Sequence, residues 1–376
     1  MFVSVILING AFPGPLIEAN WGDQIQVTVH NHINSPSEGI GFHWHGFLQQ
    51  KTQYYDGVSA VTQCPISPSS TFQYNFQADT YGTTWYHSHY SAQYADGLLG
   101  PIVIHGPKNA NYDIDLGPVF LTDYYHTPYF DILEDVLTND GNFTKIVPQS
   151  DNNLINGKMD FNCTSTTLPC TTNAGLSKFK FTTGKTHRLR LINAGAEGIQ
   201  KFSIDGHKLQ VIANDFVPVV PYTTDVVTLG VGQRTDILVT ANAGPATSSY
   251  WMRSNISATC SASKQPYALA AVLYDKADST HVPNTTATNT PDNGFCGNDD
   301  LSTTVPVYSL ASTSNPSTVQ NIEIGSGFNG SNVFVWTMNN QTFRGNYNNP
   351  ILLQANKGNL TFHREFPSQI FLSRHH

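Results

Sequence analysis

Short segments of alternating apolar and polar residues dominate this chain and restrict what it can fold into. Seven such segments are bounded by turn residues: DQIQVTVHN, STFQYNFQ, GPIVIHG, KFKFTTG, HRLRLIN, DVVTLGV and TDILVTA. A period of two turns one face of a β-strand towards a core and the other towards water. Helical periodicity is confined to a short piece near YFDILEDVL. The pattern therefore predicts an all-β protein built from sandwiches or barrels.

An internal repeat divides the chain into similar units. The motif ING occurs at residues 8–10 and again at 155–157, followed by GDQIQVTVHN in the first case and GKTHRLRLIN in the second. In each unit an Asn-Gly turn leads to a second turn at glycine and then to a strand that ends at Asn. A weaker third opening, VFVWTMNNQTF, occupies residues 333–343.

The repeat also predicts the domain organisation. A chain of 376 residues has room for about two and a half domains of roughly 150 residues. We expect one domain at 1–110, a second at 111–278, a loop-rich linker at 279–330 and the incomplete start of a third domain at 331–376. The linker prediction rests on a stretch rich in Ser, Thr, Asn and Pro.

Charge and hydropathy exclude two classes of partner. Nineteen Lys and Arg against 27 Asp and Glu give a net charge of −8, and the chain has no basic block, so neither nucleic acid nor an anionic membrane surface is expected as a partner. No apolar run approaches the roughly 20 residues that span a bilayer. The opening MFVSVILINGAF has no basic n-region and resembles a strand more than a signal peptide.

Asparagine-linked glycosylation motifs indicate a secreted protein. Seven Asn-X-Ser/Thr sequons occur, at Asn142, Asn162, Asn255, Asn284, Asn329, Asn340 and Asn359. Glycosylation at such motifs belongs to the secretory pathway. Some of the seven are also expected by chance in a chain this rich in Asn and Thr. We expect an extracellular glycoprotein.

The five cysteines favour disulfides over a metal site, because no CxxC pair occurs. Cys163 and Cys170 bracket a loop-like TSTTLP, and Cys260 and Cys296 bracket a polar stretch, so two local bridges are predicted. Cys64 is left over. An odd cysteine in a secreted chain indicates a reactive thiol, an intermolecular bridge or a partner outside the sequence.

Histidine carries the most chemical information. Two His-X-His pairs stand out in the first repeat unit: His43 with His45, and His87 with His89. On a strand, residues i and i+2 share a face, so each pair can direct two imidazoles at one point while Trp44 and Ser88 face away. Four neutral imidazoles suit copper, zinc, iron or nickel. The alternative is that these are half-exposed strand histidines without a ligand role.

The segments around these histidines resemble the first two copper-binding signatures of fungal, ascomycete-type laccases and related multicopper oxidases. The matching stretches are GFHWHGFLQQ, YYDGVSAVTQCPI and GTTWYHSHYSAQYADGLLGPIVIHGP. Residues 8–106 are similar to the first cupredoxin-like domain of that family, and LINGK, HRLRLINAG, FSIDGH and LGVGQRTDILVTA to the second. The resemblance implies tandem Greek-key β-sandwiches, two complete and a fragment of a third.

The resemblance also implies a set of copper ligands. His43 would bind the type 2 copper, and the type 3 pair would be bound by His45, His87 and His89. In the family, four further histidines and the type 1 copper ligands come from the third domain, in HPxHxHG and HCH motifs that do not occur in this sequence. The resemblance pairs Cys64 with a third-domain cysteine. We therefore expect a truncated chain without type 1 ligands.

Two acidic residues acquire candidate catalytic roles from the same resemblance. Glu197 matches a residue that contacts the phenolic substrate and accepts its proton. Asp56 matches an acid beside the water channel of the type 2 copper. Each has a simpler alternative: Glu197 as an ordinary loop residue, and Asp56 as part of an Asp-Gly turn.

The function implied by the resemblance is a laccase-type oxidation. Such an enzyme couples oxidation of a phenol or aromatic amine, here a pigment or secondary-metabolite precursor, to reduction of dioxygen to water. The alternative from another class is a truncated, non-catalytic β-sandwich that binds copper. A zinc hydrolase using the four histidines is disfavoured, because it needs an open coordination site and a dedicated base. The sequence indicates no oligomeric state.

Overall fold

The computed structural model describes residues 5–137, 143–167, 170–287, 296–309 and 321–342. Contacts divide the chain into two units, Met1–Val307 and Tyr308–His376. The first unit contains two β-sandwiches and the second a β-hairpin. The all-β prediction is confirmed.

The first sandwich contains six strands: β1 (Ile17–Asn20), β2 (Gln24–His30), β3 (Phe42–Trp44), β4 (Thr71–Gln77), β5 (Gly82–Ser88) and β6 (Leu99–His105). One sheet has the order β1-β6-β5-β3 and the other pairs β2 with β4. Side chains from both sheets form one core, including Trp44, Tyr74 and Phe76. Single-turn 3₁₀ helices lie at Gln53–Tyr55 and Gln93–Asp96.

The second sandwich follows directly. It contains β7 (Ile114–Tyr124), β8 (Asn152–Ile155), β9 (Ser177–Phe181), β10 (Thr186–Asn193), β11 (Gln200–Ile204), β12 (Leu209–Asn214), β13 (Val217–Thr224), β14 (Val227–Leu229), β15 (Arg234–Thr240), β16 (Ser249–Ile256) and β17 (Tyr267–Tyr274). Its sheets have the orders β13-β12-β15-β10-β7-β8 and β14-β11-β16-β17-β9. The alternation in β9 buries every second residue, as the KFKF pattern predicts.

Helices are short and lie between β7 and β8. Helix α1 (Tyr129–Leu137) covers the YFDILEDVL segment, as its periodicity predicts, and α2 spans Phe143–Ile146. Two more 3₁₀ turns lie at Cys163–Ser165 and Leu301–Thr303. Among the described residues, no helix has the length and apolar character needed to cross a membrane.

The two sandwiches contact each other through a cluster of apolar side chains and, beside it, through hydrogen bonds to charged side chains. Trp85 and Leu99 of the first pack with Phe120 and Ile192 of the second. Beside them, the Thr83 hydroxyl donates to Asp236 at 2.6 Å and accepts from a guanidinium N–H of Arg190 at 2.9 Å. Thr83 therefore links a strand of one sandwich to two strands of the other.

The predicted linker is attached to the second sandwich rather than running free. The Asp299 carboxylate accepts from the Thr228 backbone N–H at 2.9 Å, and the Val220 N–H donates to the Val305 carbonyl at 2.8 Å. Thr285 donates to buried Asp205 at 2.7 Å. These bonds fix parts of 279–307; the domain limits themselves remain predictions.

In the second unit, β18 (Ile324–Phe328) pairs with β19 (Phe334–Met338) in an antiparallel hairpin. The described part of the predicted third opening, residues 333–342, forms β19 and the turn after it. The remainder of the predicted third domain, from residue 343 onward, lies outside the described residues.

Both predicted disulfides are confirmed. Cys163 bonds to Cys170 and Cys260 to Cys296. Cys64 is an exposed free cysteine. Among the sequons, Asn142 and Asn359 lie outside the described residues, Asn329 is half-buried, and four are exposed: Asn162, Asn255, Asn284 and Asn340.

Candidate metal centre

Strand pairing places the four predicted histidines together. His43 of β3 lies directly opposite His87 of β5 in an antiparallel pair. His45 and His89 follow the ends of those strands, and each is fixed by its backbone: the His45 N–H donates to the Trp85 carbonyl at 3.1 Å and the His89 N–H to the Gly41 carbonyl at 2.7 Å. The four residues therefore occupy neighbouring positions on one face of the sheet.

The imidazole rings converge. The His43 ring centroid lies 5.3 Å from that of His87 and 5.6 Å from those of His45 and His89. Ring nitrogens of His43, His45 and His87 all lie within 4.8 Å of one another. His89 is the exposed member, outside that tight group, with its ring 5.9 Å from His87.

The side chains between the histidines face the other way, as the alternation predicts. Trp44 is buried and packs against Tyr74, with ring centroids 5.1 Å apart. The Ser88 hydroxyl donates to the side-chain oxygen of Gln93 at 2.7 Å. One face of β3 and β5 thus serves the core and a polar network, and the other carries imidazoles.

Hydrogen bonds orient two of the rings for ligation. His43 Nδ1 lies 2.8 Å from the Asp56 carbonyl oxygen, and His87 Nδ1 lies 3.0 Å from the Ser88 carbonyl oxygen. A carbonyl can only accept, so both Nδ1 atoms carry the proton and both Nε2 atoms present lone pairs. Metal-binding histidines typically donate their other ring N–H to a carbonyl or carboxylate in this way.

The nitrogens of His45 and His87 have the spacing of two ligands on one ion. His45 Nδ1 lies 3.4 Å from His87 Nε2. Two nitrogen ligands, each about 2 Å from a tetrahedrally coordinated ion, would lie about 3.3 Å from each other. The donor set, uncharged nitrogen from several imidazoles, is one that copper accepts readily. The residues therefore fit a transition-metal site.

Burial keeps the His45 and His87 imidazoles neutral. Burial lowers the pKa of His45 to about 2, with a further contribution from the Arg234 guanidinium. Burial likewise lowers the pKa of His87 to about 3, helped by neighbouring His43. The pKa of His89 is lowered by partial burial and then by His43. A neutral ring keeps its lone pair available, so protons do not compete with a metal here near neutral pH.

Aromatic side chains pack against the imidazole rings of His45 and His87. Trp85 stacks on His87 with centroids 4.1 Å apart and on His45 at 5.3 Å. The Tyr94 ring lies 5.3 Å from the His87 ring and 6.0 Å from the Trp85 ring. These contacts account for the burial of two of the histidines.

A buried polar network supports the strand that carries His87 and His89. Beyond Ser88, the fully buried Gln93 donates from its amide nitrogen to Glu38 at 2.8 Å and to the Gly39 carbonyl at 3.0 Å. The Tyr129 hydroxyl donates to the same Glu38 oxygen at 2.6 Å. Gln93 and Glu38 were not predicted as part of the site; both lie close to the histidine motifs, but nothing in their type or spacing indicates a contact across 55 residues.

The second sandwich closes one side of the centre. Gly232 has a φ of +80°, and a Cβ added there would lie 2.9 Å from the His45 ring. Arg234 donates from Nε to the Thr83 carbonyl at 3.0 Å and lies near enough to influence the His45 pKa. Neither residue was predicted as part of the site; the GVGQR stretch marks a turn before β15, but nothing in it indicates contact with His45.

Asp56 lies beside His43. It caps the 3₁₀ turn at Gln53–Tyr55, and one carboxylate oxygen lies 3.3 Å from His43 Nδ1. The next residue, Gly57, passes so close to β3 that a Cβ there would fall 1.6 Å from the Phe42 carbonyl oxygen. The turn interpretation and the contact with the histidine are therefore both present. A proton-transfer role for Asp56 stays a prediction.

Glu197 lies in the second sandwich, whereas all four histidines lie in the first. It belongs to the loop between β10 and β11, whose backbone N–H groups at Ala196, Glu197 and Gly198 donate to the buried Asp123 carboxylate at 2.6–2.8 Å. Burial, followed by the charge of Asp123, raises the pKa of Glu197 to about 7, and the Ala262 N–H opposes the shift. Asp123 was not predicted as part of the site; its carboxylate orders this loop by accepting from the three N–H groups.

Comparison with known proteins identifies the family. Two sequence models described as multicopper oxidase match residues 2–109 and 115–277. The chain belongs to the multicopper oxidase family. Copper is the metal of this family, which agrees with the imidazole donor set.

Individual members of the multicopper oxidase family confirm the resemblance to fungal laccases. Laccase-2 of Botryotinia fuckeliana is 40% identical over 352 residues, 93% of this chain and 58% of that protein. Laccase-3 of the same fungus is 38% identical, over 92% of this chain and 74% of that protein. The crystal structure of a Botrytis aclada laccase matches with a TM-score of 0.81 at 40% identity, over 89% of this chain and 60% of that one. The tandem cupredoxin-like fold is thereby confirmed.

Proposed function

We propose that this chain provides the first two sandwiches, and half of the copper-binding histidines, of a secreted laccase-type oxidase. The reaction is oxidation of a phenol or aromatic amine, such as a pigment or secondary-metabolite precursor, with reduction of dioxygen to water. The observation that carries the proposal is the convergence of the His43, His45 and His87 imidazoles, with the His89 ring 5.6 Å from that of His43. Because the chain spans 58% of Laccase-2, the reaction of the longer proteins is a proposal here.

In this proposal His43 binds a type 2 copper, and His45, His87 and His89 contribute to a type 3 pair. Bound copper supplies the one-electron chemistry and the reduction of dioxygen. The protein contributes orientation: the Asp56 carbonyl fixes the proton of His43 on Nδ1, and the Ser88 carbonyl does the same for His87. Asp56, with a carboxylate oxygen 3.3 Å from His43, is proposed to hold and pass protons at this end of the centre.

Glu197 is proposed as the base that accepts the phenolic proton. A carboxyl group whose pKa is raised to about 7 is poised to accept and release a proton near neutral pH. Burial and Asp123 produce that shift, and the three backbone N–H groups on Asp123 keep the loop rigid. A rigid, half-buried carboxyl at this position suits proton transfer from a bound substrate.

A second candidate function is copper binding without catalysis. Four histidines are half of the ligand set that the resemblance implies, and the HCH and HPxHxHG motifs do not occur in the 376 residues. In the family that the sequence resembles, those motifs hold the type 1 copper through which electrons from a phenol enter. A half-site would still hold copper through the tight group of His43, His45 and His87.

Copper content and oxygen uptake, measured on the same purified chain, separate these functions. Copper bound in stoichiometric amounts together with phenol-dependent oxygen uptake supports the oxidase. Bound copper without oxygen uptake supports the non-catalytic alternative. Copper binding that is equal in the wild type and in His43→Asn/His45→Asn contradicts both. His281→Asn, at an exposed histidine in the segment after β17, is the matched control.

A further inference from the structure

Another His-X-His pair lies outside the metal centre, at the end of β2. His30 is the last residue of that strand, and His32 follows two positions later. Strand β2 pairs with β4, whereas the four histidines of the metal centre are carried by the opposite sheet of the same sandwich, on β3 and β5. The pair is therefore a separate feature of the molecule.

The backbone presents both rings on the outside. Between them, Asn31 is buried, and its side-chain nitrogen donates to the Glu38 carbonyl at 2.8 Å and the Ile66 carbonyl at 2.9 Å. Its backbone N–H donates to the Ser70 carbonyl at 3.0 Å. Because Asn31 is fixed inward, the alternation of an extended backbone turns His30 and His32 outward on the same side.

The two rings are already close and aligned. Their centroids lie 6.3 Å apart with an interplanar angle of 21°, and both residues are exposed. His30 Nδ1 lies 2.8 Å from the Thr71 hydroxyl, which leaves Nε2 of that ring unengaged. Among the described residues no carboxylate forms an ion pair with either histidine. Two adjacent imidazoles thus face solvent without a counter-charge.

We propose that His30 and His32 form a second metal site, on the outer surface of the first sandwich, which binds one Cu²⁺ ion through both imidazoles. Two imidazole nitrogens on a fixed backbone form a chelate, and water completes the coordination. Among divalent first-row ions such a nitrogen site prefers copper. Only rotations within the two exposed side chains are needed to bring both nitrogens to about 2 Å from one ion.

The chelate predicts a specific pattern of affinities. The second imidazole binds at a high effective concentration once the first is attached, so loss of either ring weakens binding by about a hundredfold or more. Loss of both abolishes the site. His105 is exposed and lies 3.2 Å from the Glu18 carboxylate, but it is not part of a His-X-His pair, so it provides the comparison.

Calorimetric titration of the full chain with Cu²⁺ tests the proposal, with electron paramagnetic resonance to identify the ligands. We expect His30→Asn/His32→Asn to bind one equivalent fewer than the wild type, each single variant to show the weakened site, and His105→Asn to match the wild type. The resonance signal removed by the double variant should show two nitrogen ligands.

Equal stoichiometry and affinity in the wild type and the double variant would overturn the proposal, as would an equal loss in His105→Asn. The test of this surface site is independent of the metal centre. In His43→Asn/His45→Asn, the one equivalent of Cu²⁺ bound by His30 and His32 should remain. His30 and His32 are both exposed, so their substitution should leave the fold intact, and circular dichroism of the double variant checks this.

Discussion

At the scale of single residues, one glycine determines how closely the second sandwich approaches the metal centre. Gly232 has a left-handed backbone conformation, and the space beyond its Cα is filled by the His45 ring. A side chain there would be strained by the backbone and would also displace a ligand. The two effects can be separated, because Gly184 has nearly the same φ, +76°, with nothing near an added Cβ.

Gly232→Ala should therefore weaken copper binding, whereas Gly184→Ala should not. Both variants should lose about 1–3 kcal/mol of unfolding free energy from backbone strain. Only the first has a Cβ 2.9 Å from the His45 ring, so only the first should lose copper affinity. Urea denaturation and copper titration of both variants measure the two quantities. Equal copper affinity in the two would show that His45 tolerates the displacement.

The raised pKa of Glu197 predicts a pH dependence of stability. The pKa rises from 4.5 in the unfolded chain to about 7 in the folded protein, so between these values the folded state binds more protons. Stability must then fall as the pH rises through this window, because the slope follows the difference in bound protons. Glu197→Gln has no ionisable side chain at this position, so its unfolding free energy should not show the part of the decrease that comes from Glu197.

Denaturant unfolding from pH 4 to 8 measures this effect. The difference in unfolding free energy between Glu197→Gln and the wild type should move in favour of the variant as the pH rises. Glu323→Gln, at an exposed position, is the control and should follow the wild type. A pH-independent difference for Glu197→Gln would contradict the assigned pKa.

At the scale of elements, the position of β5 depends on a network that crosses to its neighbours. Gln93, in the 3₁₀ turn after β5, connects Ser88 of that strand to Glu38 of the segment before β3. Both histidine-bearing strands are thus held by one buried amide. Tyr129, at the start of α1, adds a connection to the second sandwich through the same carboxylate.

Gln93→Leu should destabilise the fold and weaken copper binding together. The Ser88 hydroxyl and one Glu38 interaction would lose their partner in a buried environment, at a cost of about 1–3 kcal/mol. Loosening of β5 would also displace His87 and His89. Thermal unfolding and copper titration test this expectation, with Gln73→Leu on the exposed face of β4 as the control. Unchanged copper affinity in Gln93→Leu would mean that the network does not orient the ligands.

The elements differ in how far the sequence predicts them. Strands such as β9, with one buried and one exposed face, follow from alternation. By contrast, β5 is buried at every position. Its place between β6 and β3 is therefore set by tertiary packing, and no alternation of apolar and polar residues in the sequence predicts it. The His-X-His pairs were predictable because two strands repeat a local pattern. Contacts from Gln93, Gly232 and Arg234 were not, because they join segments far apart in the chain.

At the scale of the whole molecule, the first question is what holds the two sandwiches in register. Thr83 is fully buried, donates to Asp236 and accepts from Arg190, so one hydroxyl connects charged groups of the second sandwich to β5. Thr83→Val keeps the shape and removes the hydroxyl. It should cost about 1.5–3 kcal/mol, the range for hydrogen bonds to charged groups, in a denaturation experiment. Thr71→Val, at an exposed position, should cost less; equal losses would contradict a junction role.

The second whole-molecule feature is the covalent attachment of the segment that follows β17. The Cys260–Cys296 bond closes a span of 36 residues, whereas Cys163–Cys170 closes a span of 7. If a disulfide acts by restricting the unfolded chain, the longer loop stabilises more, here by about 1.4 kcal/mol. Bonds such as Asp299 to Thr228 then form within a segment already held near the sandwich.

Paired serine substitutions compare the two bonds directly. Cys260→Ser/Cys296→Ser should lose about 3–4 kcal/mol of unfolding free energy, and Cys163→Ser/Cys170→Ser about 2–3 kcal/mol. The first variant should also become sensitive to limited proteolysis between 279 and 307, because hydrogen bonds such as those of Val305 and Asp299 would then act without the covalent link. If the short-loop variant lost more stability, or if the proteolysis pattern did not change, the segment would be held by its own packing and not by the bond.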